Sequence, residues 1–265
     1  MRRLLNISRT RAKKSLGQNF ISDNNFLLKM NTYIESSKNN VIIEIGPGNG
    51  ALTKHLLKRK FKKLFLIEKD NDLAIQLKLK YEKIKNIYII NDDALSFDYS
   101  IFKNIKEKVI IYGNLPFNIS TKLLTIWISD NEWPSFFDKM ILMFQKEVAD
   151  RIIASHNNKK YGRLSVLVQS RCNVKKLLNA PASIFTPKPK VDGAIIQLKP
   201  INNYNKINIS NLENLLEQSF SSRRKKIKNT LKEYKQLLAK LDIDENLRPE
   251  NLSVSNYCDL VKLIS

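Results

Sequence analysis

Short apolar runs alternate with segments of helical periodicity along the first 200 residues of the chain. Each run is bounded by glycine, proline, asparagine or charged residues, which is typical of a buried strand. The runs lie at 41–45, 65–68, 87–90, 109–111, 140–144 and 194–198. Between several of them, apolar residues recur every three or four positions, as a buried helix face requires. This alternation predicts an α/β fold built around a mostly parallel sheet.

The pattern changes beyond a polar stretch at residues 202–205. No strand-like run follows it, and the apolar residues are spaced as in helices, for example Leu212, Leu215 and Leu216. We therefore predict two domains, with the sheet in residues 1–201 and a small all-helical domain in residues 202–265.

A glycine-rich turn, GPGNG at 46–50, connects the first apolar run to a helical segment. Strand, glycine turn and helix form the nucleotide-binding unit of doubly wound folds, where glycine lets a ligand approach the backbone. The G-x-G-x-G spacing differs from the G-x-G-x-x-G of dinucleotide sites. It favours S-adenosylmethionine, an adenosyl ligand with an amino-acid tail, over a dinucleotide. The alternative is a glycine turn without a ligand.

Acidic residues follow the second and third predicted strands. Glu68 ends the second strand about 20 residues past the first glycine, where a carboxylate accepts hydrogen bonds from ribose hydroxyls. Asp70 is predicted to cap the next helix and is the alternative ribose acceptor. Asp93 follows the third strand, where an acid either accepts a hydrogen bond from an adenine amine or serves the turn.

The segment GNLPFNIST at 113–121 follows the fourth apolar run. At the carboxyl end of a parallel strand, where open α/β sheets bind ligands, Asn114 offers an amide oxygen as acceptor. Pro116 favours an extended Leu115, whose carbonyl oxygen then points outward. Phe117 offers a flat face on which a base can stack. Two acceptors beside an aromatic ring suit a planar exocyclic amine, and the alternative is a proline turn in which Asn114 caps a helix.

The chain carries a formal net charge of +21, which suits a polyanion or an anionic membrane surface. A lysine-rich proteome would produce the same bias. Residues 1–14 contain basic and no acidic side chains, as in an organellar presequence or an arm that contacts phosphates. No apolar run is long enough to span a bilayer, and Cys172 and Cys258 lack metal-ligand spacing. We expect a cytoplasmic protein with neither a metal site nor a membrane partner.

Two further segments combine basic residues with features of nucleic-acid contact. Residues 183–191 are extended by two prolines and carry two lysines beside an aromatic ring. Residues 221–228 contain a basic run, for which a solvated helix face is the alternative to phosphate contact. The predicted RNA contacts are Phe185, Lys188, Lys190, Arg223, Arg224 and Lys225.

Nine segments together resemble the motifs of the ribosomal RNA adenine dimethyltransferase family, in that family's order. They are SLGQNF (15–20), EIGPGNG (44–50), IEKD (67–70), DA (93–94), GNLPFNIST (113–121), QKEVA (145–149), YGRLSV (161–166), FTPKPKV (185–191) and RRKKIKNTL (223–231). The resemblance covers residues 13–265. It implies a class I methyltransferase with a Rossmann-like seven-stranded sheet and a small helical C-terminal domain.

The resemblance also implies the roles of individual residues. Asn114, the Leu115 carbonyl and Phe117 are expected to handle the target amine, and Phe185 to offer a second stacking surface. The residues expected to bind S-adenosylmethionine are Asn19, Ile21, Gly46, Gly48, Glu68, Asp93 and Asn114.

Members of the family methylate N6 of two adjacent adenosines in the hairpin loop near the 3′ end of small-subunit rRNA. The resemblance therefore implies dimethylation of 16S rRNA in a pre-30S particle by a monomeric enzyme. Relatives that methylate one adenine of large-subunit rRNA share the Asn-x-Pro-[Tyr/Phe] motif, but residues 15–17 and 223–231 favour the small-subunit enzyme. A DNA adenine methyltransferase and a non-catalytic RNA-binding assembly factor remain as alternatives.

Overall fold

The computed structural model describes residues 12–130, 132–204 and 206–264. Its strands are β1 (Phe20–Ile21), β2 (Asn40–Ile45), β3 (Lys63–Glu68), β4 (Ile87–Asn91), β5 (Lys108–Gly113), β6 (Lys139–Gln145), β7 (Cys172–Ala180), β8 (Phe185–Thr186) and β9 (Gly193–Pro200). Its α-helices are α1 (Asn24–Asn31), α2 (Ala51–Leu56), α3 (Asn71–Tyr81), α4 (Ser120–Ile128), α5 (Lys146–Ile153), α6 (Arg163–Arg171), α7 (Ile209–Ser219), α8 (Ile227–Thr230), α9 (Lys235–Lys240) and α10 (Val254–Ile264). Short 3-10 turns connect several of these elements.

Seven strands form one mixed sheet in the order β4-β3-β2-β5-β6-β9-β7. The five strands from β4 to β6 are parallel, whereas β9 is antiparallel to both β6 and β7. The strand order reverses between β2 and β5, which opens a crevice at their carboxyl ends. The predicted doubly wound α/β fold with a seven-stranded sheet is confirmed.

The six predicted apolar runs all lie in strands of this sheet, but its seventh strand, β7, does not follow from the pattern. Lys175 and Lys176 interrupt the apolar residues of β7, and the register shifts between Lys176 and Leu178. Because β7 is an edge strand with one neighbour, most of its side chains are only partly buried. An edge strand of this kind carries neither a continuous apolar run nor a regular alternation.

Helices cover both faces of the large sheet. On one face, α1, α2 and α3 contribute Leu27, Leu56 and Leu77 to a buried cluster. On the other face, α4 and α6 contribute Leu124 and Val166 to a second cluster. The two clusters hold the parallel strands between layers of helices, as an all-parallel region of sheet requires.

Aspartate side chains cap two helices, and the cap by Asp70 was predicted. Asp23 accepts a hydrogen bond from the Phe26 backbone N–H at 2.8 Å and begins α1. Asp70 accepts one from the Asp72 N–H at 3.1 Å and begins α3. Each carboxylate satisfies a backbone donor that the helix itself leaves unpaired.

The C-terminal part of the chain is helical, as the periodicity predicts. Leu215 of α7 and Tyr257 of α10 belong to the same buried cluster as Val166 of α6. The helices that follow residues 202–205 therefore pack on the sheet region through shared apolar contacts. The division of the chain into two domains at residue 201 stays a prediction.

Candidate active site

A cleft lies at the carboxyl ends of β2, β3, β4 and β5, at the reversal of strand order. Its empty volume, which includes the solvent space at its open mouth, is about 980 Å³. The structure brings to it all residues that the resemblance assigns to cofactor binding. They are Asn19, Ile21, Gly46, Gly48, Glu68, Asp93 and Asn114.

The glycine turn forms one wall of this cleft. Gly46 and Gly48 have φ angles of +62° and +59°, in the left-handed region that side chains disfavour. A Cβ atom on Gly48 would lie only 2.7 Å from the ring of Phe20. The Gly48 N–H also donates to Glu68 at 2.9 Å. The turn is thus held tightly between Phe20 and Glu68, with its backbone facing the cleft.

Glu68, at the end of β3, lines the cleft with a carboxylate that is nearly buried. Its two oxygens accept from the Gly48 and Asp70 N–H groups at 2.9 and 2.8 Å. Burial raises the pKa of this carboxyl, while the backbone donors oppose the shift. Because each oxygen keeps a lone pair, Glu68 can still accept hydrogen bonds from a ligand.

Asp70, the alternative ribose acceptor, does not line the cleft. Its carboxylate accepts from Lys13 Nζ at 2.8 Å and from Gln18 Nε2 at 2.9 Å. Burial alone would raise the pKa of Asp70, but the hydrogen bonds from Lys13 and Gln18 lower it. Asp70 therefore anchors the N-terminal segment and caps α3, which favours Glu68 as the ligand acceptor.

The sequence reasoning did not single out Glu44, a second acid on the cleft wall. Glu44 is 1% exposed, and its carboxylate accepts from Thr53 Oγ1 at 2.8 Å. Burial raises the pKa of Glu44 to about 8, so its carboxyl group is largely protonated at neutral pH. The available signal was an acidic residue inside an apolar run, two positions before the first glycine.

Asp93 lies on the cleft wall and is engaged in local interactions. Lys69 donates to its carboxylate at 2.7 Å and the Leu95 N–H donates at 3.0 Å. The hydrogen bond from Lys69 lowers the pKa of Asp93 and keeps it ionised. Asp93 thus stabilises the turn after β4 and also lines the cleft.

The side-chain amide of Asn114 is fixed by the N-terminal segment. Its Nδ2 donates to the carbonyl oxygen of Asn19 at 2.8 Å, and the Asn19 side chain donates to Gly17 at 3.1 Å. This bond engages one of the two amide hydrogens and fixes the amide, and Oδ1 remains as an acceptor for a ligand. Among the described residues, no donor reaches that oxygen.

Leu115 and Phe117 complete the predicted amine-handling group. The Leu115 side chain is buried, and in the described part of the chain no donor is bonded to its carbonyl oxygen. Phe117 is half-buried and lines the cleft. Asn114, Leu115 and Phe117 all line the same cleft.

The prediction that Phe185 offers a second stacking surface is wrong in this structure. Phe185 is 3% exposed, and its ring meets that of Phe117 edge-on at a centroid distance of 6.3 Å. It lies in β8, which pairs with β1 across the Ile21–Phe185 register. Phe185 therefore supports Phe117 from behind, because the strand pairing turns it into the core.

The basic run at residues 221–228 does not form the face of one continuous helix. Residues 223–226 form a turn between a 3-10 turn and α8. Arg223 donates to the carbonyl oxygens of Lys159 and Tyr161 at 2.8 and 2.9 Å and pairs with Glu250 at 2.8 Å. Its guanidinium therefore joins segments of the protein, and its predicted RNA contact stays a prediction. The basic side chains Lys188, Lys190, Arg223, Arg224 and Lys225 are all exposed.

Within the described residues, no helix is long and apolar enough to cross a membrane. The same residues hold no cluster of three or more histidine, cysteine or acidic side chains suited to a metal ion. The basic N-terminal arm at 1–11 lies outside the described residues.

The chain is similar to known proteins over nearly its full length. A family model described as "Ribosomal RNA adenine dimethylase" matches residues 9–265. A "Ribosomal RNA small subunit methyltransferase A" of Pelagibacter ubique (strain HTCC1062) is 45% identical over 257 residues, covering 95% of this chain and 96% of that protein. The protein of the same name from Francisella tularensis subsp. novicida is 40% identical, covering 97% of this chain and 99% of its own length.

Solved structures agree with these matches. A dimethyladenosine transferase from Plasmodium falciparum superposes with a TM-score of 0.78 and 28% identity, covering 92% of this chain and 97% of its own. The 23S rRNA methyltransferase ErmE gives a TM-score of 0.67 over 92% of this chain and 98% of its own, but at 21% identity it shows the fold alone. The family match spans the cleft, residues 113–121 and the C-terminal helices. The chain therefore belongs to the ribosomal RNA adenine dimethylase family.

Proposed function

We propose that this enzyme transfers methyl groups from S-adenosylmethionine to N6 of two adjacent adenosines in the 3′-terminal hairpin loop of small-subunit rRNA. The products are N6,N6-dimethyladenosines, formed during small-subunit biogenesis. Membership of the family and relatives named as small-subunit methyltransferases support this activity. The observation that carries it is the fixed amide of Asn114, which lines the cleft together with Leu115 and Phe117.

The residues of the cleft fit S-adenosylmethionine. The left-handed glycines leave the backbone of the turn accessible, and a Cβ atom at Gly48 would collide with Phe20. Glu68 offers lone pairs for ribose hydroxyls, and Asp93 and Asn19 border the same space. When bound, the cofactor supplies an electrophilic methyl group on a sulfonium sulfur. Ile21, Gly46 and Asn114 complete the set that we propose to hold it.

The target amine needs activation because its lone pair is delocalised into the adenine ring. The two acceptors, Asn114 Oδ1 and the Leu115 carbonyl, suit the two hydrogens of the amine. Hydrogen bonds to them favour a tetrahedral nitrogen and stabilise the positive charge that develops on it. Since Asn19 fixes the amide before the substrate arrives, no reorganisation is needed at the moment of reaction.

Phe117 is proposed to hold the extruded base. A base that leaves its stack is usually received between aromatic or apolar side chains, and stacking on one ring contributes about 1–3 kcal/mol. Phe185 keeps the ring of Phe117 in place by edge-on contact at 6.3 Å. The methylated nitrogen, once positively charged, is acidic and loses its proton readily, so a strong base is not required.

Contacts with RNA outside the cleft are proposed for the exposed basic residues. Lys188 and Lys190 follow Phe185 on the same extended segment, and Arg224 and Lys225 lie on the turn before α8. Phosphate contacts of this type fix the register of the RNA without reading its sequence. We further propose that the protein acts as a cytoplasmic monomer on a pre-30S particle and that residues 202–265 form its RNA-binding domain.

The proposal is tested by incubating small-subunit particles with the protein and labelled S-adenosylmethionine, followed by mass spectrometry of rRNA fragments. We expect dimethylated adenosines in the fragment that contains the 3′-terminal hairpin loop. Labelling of large-subunit rRNA or of duplex DNA instead would overturn the proposal in favour of another target. Calorimetric titration with S-adenosylmethionine tests the remaining alternative, because a non-catalytic assembly factor need not bind it.

A further inference from the structure

A basic surface lies at the opposite ends of the same parallel strands, away from the cleft. Lysines precede or begin β3, β4 and β5 and lie in the loop before β2, and all of them are exposed. We call this group the amino-end lysines. They are Lys38, Lys60, Lys62, Lys63, Lys83, Lys85, Lys106 and Lys108.

Hydrogen bonds between backbone groups hold these four segments side by side. The Lys62 N–H donates to Asn40 at 2.7 Å, and the Lys108 N–H donates to Asn39 at 3.0 Å. The Leu64 N–H donates to Asn86 at 2.9 Å, which joins the loop before β4. Adjacent strands lie about 4.8 Å apart, so the amino-end lysines occupy one continuous surface.

The acidic residues near this surface compensate only a small part of its charge. Lys62 pairs with Glu107, and it is the only amino-end lysine with an ion pair in the described residues. Glu35 pairs with Lys139 at 3.5 Å, and Asp138 accepts from the Val109 N–H at 2.8 Å. The other amino-end lysines thus present their charges directly to solvent, where they attract a polyanion.

An exposed aromatic residue lies within the same surface. Tyr88 is 41% exposed, and Lys63 Nζ lies 5.7 Å from the centre of its ring. The ring is stacked on Phe65 at a centroid distance of 4.9 Å, which keeps it on the surface of β3 and β4. Lysines beside an accessible aromatic ring are typical of surfaces that bind nucleic acids.

We propose that the amino-end lysines bind the phosphates of a second segment of the rRNA, separate from the segment whose adenosine enters the cleft. β2 connects the two sites and has six residues, about 20 Å at 3.3 Å per residue. One nucleotide therefore cannot contact both. The inference rests on the proposed function for the identity of the polyanion, since a folded ribosomal particle presents several RNA segments at once.

Such a contact would act by avidity. When one RNA segment is held at the cleft, a second segment of the same particle meets the amino-end lysines at high effective concentration. Its contribution is independent of sequence and falls steeply with salt. The surface would therefore orient the whole particle on the enzyme, and the cleft would select the base.

The first test compares two triple variants with equal loss of charge. K60Q/K85Q/K106Q removes three amino-end lysines, and K29Q/K159Q/K175Q removes three exposed lysines that lie neither at the amino ends of the parallel strands nor in residues 202–265. Affinity for small-subunit particles is measured between 50 and 300 mM salt, and titration with S-adenosylmethionine checks that both variants fold. We expect K60Q/K85Q/K106Q to bind about tenfold or more weakly and to lower the salt slope by about 2–3. Equal weakening of both variants would overturn the proposal, as would no weakening of the first.

The charge-conserving variant K60R/K85R/K106R is the rescue control. Arginine keeps the positive charge and binds phosphate at least as well as lysine. We expect it to restore both the affinity and the salt slope of the parent protein. Failure of this rescue, with cofactor binding intact, would show that the loss came from altered packing and would overturn the proposal.

The second test locates the RNA. Both native cysteines are buried, so a Lys106→Cys variant can be labelled at one site with a tethered iron chelate that cleaves nearby RNA. Small-subunit rRNA should be cut in a segment different from the one cut by a probe at Lys188→Cys. A probe at the exposed Lys175→Cys is the control and should not cut there. Cuts at the same nucleotides from positions 106 and 188, or none from 106, would overturn the proposal.

These results separate failure of the inference from failure of the proposed function. If the parent protein neither binds nor methylates small-subunit particles, the proposed function fails. If the parent does both and the K60Q/K85Q/K106Q variant behaves like its control, only the inference fails. Sedimentation with vesicles of phosphatidylcholine and phosphatidylserine tests the other polyanionic partner. Binding to vesicles that needs the amino-end lysines, with particle binding unchanged, would assign the surface to a membrane instead.

Discussion

The two ends of the parallel strands use ionisable residues in opposite ways. At the carboxyl ends, the carboxyl groups of Glu44, Glu68 and Asp93 are each held by defined donors at 2.7–3.0 Å. At the amino ends, exposed lysines face solvent. Of the amino-end lysines in the described residues, Lys62 alone has an ion pair. One end of the sheet thus holds hydrogen-bonded acidic groups in a cleft, and the other presents solvent-exposed lysines on an open surface.

This difference indicates what each end can do. Fixed acceptors that need no reorganisation can stabilise a developing charge and discriminate between substrates. Exposed lysines attract anions without requiring one defined geometry. The attraction increases with the number of charges and is screened by salt. Removal of one group at the carboxyl ends should therefore abolish a function, whereas each lysine at the amino ends should contribute a small share.

The largest effect is expected for Asn114→Ala. Loss of a pre-oriented acceptor for the target amine should lower the single-turnover rate of methyl transfer about 10²–10³-fold, by analogy with the loss of one oxyanion-hole donor. Affinity for the small-subunit particle should remain. Asn173→Ala, an exposed asparagine of β7, is the control. An unchanged rate would remove Asn114 from the catalytic group.

The second prediction concerns Glu44, whose pKa burial raises to about 8. The folded state holds this proton more tightly than the unfolded state does, so the associated stability is complete below pH 4.5 and is lost as the pH rises towards 8. Glu44→Gln should be about 2–4 kcal/mol more stable than the parent at pH 8.5 and equally stable at pH 4.5. Urea unfolding across this range measures the difference. The exposed Glu82→Gln is the control, and parallel profiles for the parent and Glu44→Gln would contradict the prediction.

The third prediction tests the tight packing of the glycine turn. Gly48→Ala forces a side chain into the left-handed region and towards the Phe20 ring. We expect this strain to lower the free energy of unfolding by about 1–3 kcal/mol. We expect weaker binding of S-adenosylmethionine by calorimetry and a lower melting temperature. Gly162→Ala is a matched control, because a Cβ atom there would have no neighbour within 4 Å. Equal behaviour of the two variants would show that the turn tolerates a side chain.

The smallest effect is expected for Arg223→Ala. This variant is compared with Arg224→Ala, since the Arg223 side chain is hydrogen-bonded to protein groups and no hydrogen bond is found for the Arg224 side chain within the described residues. Loss of its hydrogen bonds to Lys159, Tyr161 and Glu250 should lower the free energy of unfolding by about 1–2 kcal/mol. Arg224→Ala should leave stability unchanged but weaken RNA binding and reduce the salt slope by about 1. Unchanged stability of Arg223→Ala would contradict the structural role of Arg223, and weaker RNA binding with a lower salt slope would support its predicted RNA contact.

Much of the cleft could be predicted from the sequence. The glycine turn, Glu68 and Asn114 each follow an apolar run directly, and the carboxyl ends of parallel strands meet at one end of a sheet. β7 could not be predicted from the pattern, because an edge strand with central lysines shows no strand signal. Glu44 was missed because an acid within a strand shows its importance only once its burial and its partner Thr53 are known.

The roles of Phe185 and Arg223 were decided only by tertiary structure. Both residues lie in motifs that resemble RNA-binding segments, and their chemistry suits that purpose. The pairing of β1 with β8 turns Phe185 inward behind Phe117, and the loop before α6 accepts the hydrogen bonds of Arg223. The sequence around an aromatic residue or an arginine is the same whether its side chain faces solvent or packs against the protein.

The sequence by itself determined the fold class, the glycine turn and the position of residues 113–117 at the end of a strand, because each depends on residues that are close together along the chain. The tertiary structure decided which carbonyl orients Asn114, which acid anchors the N-terminal segment and which basic residues reach solvent. These outcomes depend on contacts between distant segments, such as Asn19 with Asn114 and Lys13 with Asp70. The spacing of residues along the chain does not specify such contacts, since they form only when the packed elements bring the segments together.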